Sequence, residues 1–128
     1  MREFVAVALG GMLGSLARYI VGLGVSRAWA TLNWPLATLL VNVLGCFAIG
    51  LFSAAAKRWQ WLDTPMDLAV RIGILGGFTT FSSFGLEAVR LWQADRALAA
   101  SSVIFLNVAM AVVAVVLGEW LFKSFFDR

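Results

Sequence analysis

Between residues 76 and 84 the chain reads Gly-Gly-Phe-Thr-Thr-Phe-Ser-Ser-Phe: two glycines, four hydroxyl side chains and three phenylalanines in nine positions. Hydroxyls donate hydrogen bonds, and an aromatic ring has a positive edge as well as a negative face. Phe81 and Phe84 stand three apart, so they lie near one face if helix resumes there. Either their edges contact an anion, with Ser82 and Ser83 offering hydroxyls beside them, or the rings pack against lipid and helices. Asn42 brings an amide with two N–H donors and no net charge, suited to a partly dehydrated anion or to a bond between helices. Thr38, one turn earlier on the same face, extends a donor path. Arg18 is a fixed cation, either attracting an anion or anchoring a helix break, or else snorkelling or pairing with carbonyls. A broken helix also frees carbonyl oxygens, and carbonyls converging from two copies suit a small cation such as Na⁺.

The elements that must position these groups are membrane spans. The 128 residues are 62% hydrophobic and 13% charged, far from the balance of a soluble domain. Crossing roughly 30 Å of hydrocarbon takes about 20 residues, and stretches of that length lie at 4–25, 35–56, 68–93 and 97–122. The expectation is one all-α integral membrane domain over residues 1–128, with too little outside the spans for a soluble catalytic site. It is therefore not read as an enzyme. Irregular backbone within a membrane is tolerated only where protein buries it or a polar cavity borders it. The third span is accordingly expected to break near its middle, with Gly76 and Gly77 favouring the break and Thr79, Thr80, Ser82 and Ser83 compensating the released groups.

Small residues mark tight packing. Gly10, Gly14, Arg18 and Gly22 recur every fourth residue in the first span, and Thr38, Asn42, Cys46 and Gly50 do so in the second. Such stripes let helix backbones approach closely in lipid. Cys46 is the only cysteine, so no intramolecular disulfide forms, and the absence of histidine removes the commonest metal ligand and general base. Ala28, Trp29 and Ala30 mimic a signal cleavage site, but Arg18 and five glycines interrupt the preceding segment, which is read as a retained span.

The net charge of +3 belongs to helix ends, and no nucleic-acid patch is visible. Arg2, Lys57, Arg58, Lys123 and Arg128, with Arg71 nearby, fall on the side of the termini; Arg27 and Arg96, with Arg90 nearby, fall on the other. Lysine and arginine asymmetry sets orientation. Here it is modest, which fits either insertion both ways with oppositely oriented copies paired, or one orientation with the termini in the cytoplasm.

Three ordered motifs carry a family resemblance: Gly10-Gly11-Met12-Leu13-Gly14-Ser15-Leu16-Ala17-Arg18, then Thr38-Leu39-Leu40-Val41-Asn42-Val43-Leu44-Gly45, then Gly73-Ile74-Leu75 running into the 76–84 segment with Glu87 beyond it. End to end, the chain resembles the Fluc/CrcB fluoride channels of microbial membranes. The resemblance implies an antiparallel, dual-topology homodimer in the cell inner membrane that exports fluoride passively through pores at the subunit interface. It also implies a structural central Na⁺ that is not transported. By motif position Asn42 is then the pore amide, Phe81 and Phe84 present ring edges to fluoride, and Thr38, Ser82 and Ser83 add hydroxyls. Gly76 and Thr79 give backbone carbonyls to Na⁺, Arg18 sits toward the vestibule or interface, and Glu87 lies near the far end of the path. Ser83 stands where the family usually has threonine, and the fourth span lacks a tyrosine found in many relatives, leaving Phe105 or Asn107 as candidates for that lining.

Fluoride suits this chemistry, being small, strongly hydrated and a strong hydrogen-bond acceptor. A narrow path of donors can replace its water where chloride fits poorly. Two other classes compete. A small dual-topology multidrug-type transporter wants a carboxylate within its first span, which carries Arg18 and only Glu3 at its edge. A non-transporting membrane scaffold accounts for the glycine stripes but not for a broken span rich in hydroxyls.

Overall fold

The computed structural model describes residues 1–126; Arg128, counted above among the basic residues near the termini, lies outside them. Four helical stretches are long and apolar enough to cross a membrane. They are α1 (Arg2–Ala28), α2 (Leu36–Arg58), a stretch over Pro65–Gln93, and α5 (Ala97–Phe126). The third stretch has two parts, α3 (65–78) and α4 (Phe81–Gln93). Among the described residues there is no strand.

Each reversal of the chain has a local cause. At the end of α2 the Trp61 N–H reaches the Ala56 carbonyl at 2.8 Å, with Gln60 in the left-handed region at φ 58. After α4 the Asp95 N–H bonds the Trp92 carbonyl at 3.1 Å and the Arg96 N–H bonds the Leu91 carbonyl at 3.0 Å, with Asp95 also at φ 58. Both are Schellman turns, which satisfy the last carbonyls of a helix. α3 starts at Thr64, whose hydroxyl accepts the Asp67 N–H at 3.2 Å, with Pro65 in the first turn, where its missing donor costs nothing. Asp67 is fully buried, and Arg71 compensates it with Nε at 3.1 Å and Nη2 at 2.7 Å.

Glycines set the helix spacing. A methyl added at Gly14 would fall on the Ile74 carbonyl, and one at Gly10 on the Ala69 carbonyl. On the facing side, a Cβ at Gly77 would stand 2.8 Å from the Gly11 carbonyl oxygen. The α3 carbonyls involved belong to a stretch wound as a π-helix, Ala69–Leu75. The stripe expected in α1 works only in its first half, since nothing lies within 4 Å of a Cβ at Gly22. On the other side of the bundle Gly50 of α2 meets the Val115 carbonyl, and Gly118 of α5 meets the Phe47 carbonyl.

The break in the third span is displaced from the glycines that were expected to make it. Gly76 is helical at φ −65, ψ −37, and the chain leaves helix at Thr79 (φ −80, ψ 160) and Thr80 (φ −149, ψ 117). Gly77 serves close packing against α1 instead. Extended backbone suits the β-branched threonines, and Thr80 then caps α4.

Candidate functional site

The two extended residues are held by α2. Asn42 Oδ1 accepts the Thr80 N–H at 2.8 Å, and Asn42 Nδ2 donates back to the Thr80 carbonyl at 3.1 Å. Its amide thus pairs with Thr80 much as a strand neighbour would. Nδ2 also donates to Asn107 Oδ1 of α5 at 2.9 Å, and Asn107 in turn donates to the Val103 carbonyl at 2.9 Å. The Thr80 hydroxyl accepts the Ser83 N–H at 3.2 Å and donates to Ser83 Oγ at 3.0 Å, which ties the start of α4 to the break. The Thr79 hydroxyl bonds back to the Leu75 carbonyl at 3.1 Å.

These bonds divert donors from two carbonyls. In continuous helix the Thr80 N–H would bond the Gly76 carbonyl and the Ser83 N–H would bond the Thr79 carbonyl. Here the first goes to Asn42 and the second to the Thr80 hydroxyl. The Gly77 and Phe78 carbonyls face the same extended residues, so Gly76 and Thr79, named above as carbonyl donors to a cation, are two of the four residues whose helical ladder the break interrupts. Among the described residues no group of three or more His, Cys, Asp or Glu could hold a metal ion.

Beside the break lies a cavity of about 320 Å³, bordered by Asn42, Cys46, Thr80, Phe81, Phe84 and Asn107 among others. Phe84 is buried at 6% exposure, whereas Phe81 is 80% exposed. Their rings meet edge to face, with centroids 5.1 Å apart and planes at 69°. Ser82 is exposed and Ser83 half-buried. The structure thus brings Asn42, Thr79, Phe81, Ser83 and Phe84 together with Thr80 and Asn107.

One turn along α2 is a second polar cluster. The Thr38 hydroxyl donates to Glu87 Oε1 at 2.7 Å, and Glu87 Oε2 is buried with no hydrogen-bond partner among the described residues. Arg18 joins neither cluster. It is half-exposed on α1 and does not border the cavity beside the break.

Sequence reasoning gave Thr80, with Thr79, Ser82 and Ser83, the task of compensating released backbone groups, and its hydroxyl does so at the Ser83 N–H, but its place at the centre of the Asn42 clamp was not named. Its signal was available, because a threonine ahead of a resumed helix is a preferred N-cap. Asn107 was named only as a stand-in for a missing tyrosine. A lone asparagine in an apolar span signals an interhelical bond, but not which helix it meets. The Trp34 indole, which donates to Ser102 Oγ at 3.0 Å, had no sequence signal.

A family profile described as "CrcB-like protein, Camphor Resistance (CrcB)" matches residues 5–119. The chain belongs to the CrcB family. Relatives carrying the name "Fluoride-specific ion channel FluC" include one from Saccharophagus degradans, 45% identical over 117 residues, covering 90% of this chain and 85% of the relative. One from Ruminiclostridium cellulolyticum is 40% identical over 124 residues, covering 97% and 95%. One from Rhizobium johnstonii is 39% identical over 118 residues, covering 92% and 94%. The family suggested by three motifs is thus the one matched along nearly the whole chain. With its four apolar helical stretches, this CrcB protein is a multi-pass membrane protein, and its relatives are named as channels rather than enzymes.

Proposed function

We propose that the chain is a fluoride-selective channel that lowers cytoplasmic fluoride by passive export. The observation that carries the reading is the helix break clamped by Asn42 beside the outward-facing Phe81, in a chain whose relatives are named fluoride channels. The polar column of Thr38, Asn42 and Thr80 supplies donors, and the Phe81 and Phe84 ring edges complete the shell around a dehydrated anion. Ser82 and Ser83 add hydroxyls at the start of α4. The Asn42 amide donates to the Thr80 carbonyl and to Asn107 Oδ1. The bond to Asn107 is the one that yields to fluoride, because the reciprocal pair with Thr80 holds the break open. Arg18 biases the approach from α1, and Glu87 with Thr38 marks the end of the path.

The pathway is half complete in one chain. Phe81 is exposed beside the same cavity as Val112 of α5, which is 60% exposed. A second, antiparallel copy covers that face and supplies the opposite wall. The freed carbonyls of Gly76 and Thr79 fit a structural Na⁺ shared between the copies, whose charge would hold the two breaks together. Support comes from the diverted Thr80 and Ser83 donors described above.

Efflux from proteoliposomes loaded with fluoride or with chloride tests the reading. Fluoride should leave rapidly in Na⁺ medium while chloride stays inside. Equal loss of both anions, or loss of neither, would overturn it.

A further inference from the structure

At the end of the bundle opposite the termini, a second cavity of about 340 Å³ opens between the α1–α2 connection and the α4–α5 turn, with Asn33, Trp34, Glu87, Arg90 and Arg96 on its walls. Its polar groups are unequal in charge: two arginines face one carboxylate. Arg96 Nη2 donates to the Asn33 carbonyl at 2.7 Å, which straps one connection to the other. The Schellman turn after α4 presents Arg96 at this position, its N–H bonded to the Leu91 carbonyl. Arg90 lies three residues beyond Glu87, hence on the same face of α4, and its side chain is exposed. Trp34 is fixed by its bond to Ser102 and forms a stiff apolar wall.

A hydrogen bond joins this cavity's wall to the polar column. Glu87 borders the cavity and accepts the Thr38 hydroxyl, and Thr38 stands one turn from Asn42 on α2. We propose that Arg90 and Arg96 form an anion-recruiting mouth, which raises the local concentration of small monovalent anions above Glu87 and so sets the rate of entry. The inference rests on the fluoride-channel reading. A cleft with cationic groups and low-dielectric walls focuses the field and raises on-rates for anions. The two arginines act differently. Arg96 is tied to the Asn33 carbonyl, whereas Arg90 is exposed and stands three residues from Glu87 on the same helix. The competing explanation is that both serve only as helix-end anchors, Arg90 in the last turn of α4 matching the helix dipole.

Ionic strength separates these roles, because the Debye length falls from about 30 Å at 10 mM to about 3 Å at 1 M. Fluoride conductance is measured in liposomes at fixed Na⁺, with ionic strength raised by an impermeant salt. For Arg90→Gln and Arg96→Gln the expected result is roughly a two- to fivefold loss at low ionic strength, vanishing toward wild type at high ionic strength. Arg90→Lys should restore the low-salt rate. A wild-type rate for Arg90→Gln at low ionic strength overturns the proposal, as does a deficit equal at both ionic strengths. If Arg96→Gln fails to assemble, Arg90→Gln decides alone. Loss of fluoride selectivity in the wild-type protein would instead strike the channel reading, which the same recordings report separately.

Discussion

Asn42 carries three hydrogen bonds on one uncharged amide, and the arrangement depends on its having both a donor end and an acceptor end. Asn42→Asp keeps the acceptor for the Thr80 N–H but turns a second oxygen toward the Thr80 carbonyl and Asn107 Oδ1. It also adds a negative charge to an anion path. Fluoride efflux from liposomes bearing this substitution should fall to the empty-vesicle rate, and wild-type efflux would remove Asn42 from the pathway. Phe81 poses the reverse case. At 80% exposure its ring contributes little packing within the chain, so Phe81→Ile should leave assembly on size-exclusion chromatography intact while suppressing flux. The donor-rich character of these positions was legible in the sequence because hydroxyl, amide and ring edge are properties of residue type. The partners were not. Which oxygen an amide meets depends on the register between α2, the break and α5, and residue type does not encode that register.

Among the elements, the four spans could be read from apolar length alone, whereas the position of the break could not. Glycine runs signal either irregular backbone or close packing. Gly76 and Gly77 lie in helix, with Gly77 against Gly11, and the threonines after them make the break. The same ambiguity runs along α1, where Gly14 touches the Ile74 carbonyl and Gly22 touches nothing. Gly14→Ala should therefore lower thermal stability in detergent, by about 1 to 3 kcal/mol as for other overpacked sites, and Gly22→Ala should be neutral or slightly stabilising. Equal melting temperatures for the two variants would refute the packing assigned to the α1–α3 contact. The Schellman turns were also hidden, since Gln60 and Asp95 occupy positions where glycine is usual. Asp95→Gly should raise stability by about 1 kcal/mol, measured as an upward shift in melting temperature.

For the whole molecule, two features stand out among the described residues: exposed apolar side chains, Phe81 and Val112, beside the break, and carbonyls of residues 76 to 79, Gly76 and Thr79 among them, whose helical ladder the break interrupts. One solution serves both. Two oxygens do not enclose a cation, but in the proposed dimer a second copy related by a two-fold axis would bring an equal pair to the same point as its apolar face closes on the first. Under this reading Na⁺ binds the assembled form and not the separated chains, so stability is linked to Na⁺ by mass action. Each tenfold rise in Na⁺ above its dissociation constant then adds about 1.4 kcal/mol. Replacing Na⁺ with N-methylglucamine should lower the melting temperature of the dimer and stop fluoride efflux, and restoring Na⁺ should recover both. Identical melting curves and fluxes in Na⁺ and N-methylglucamine would exclude a cation from the centre of the assembly. The freed carbonyls of Gly76 and Thr79 would then need another donor from the second copy.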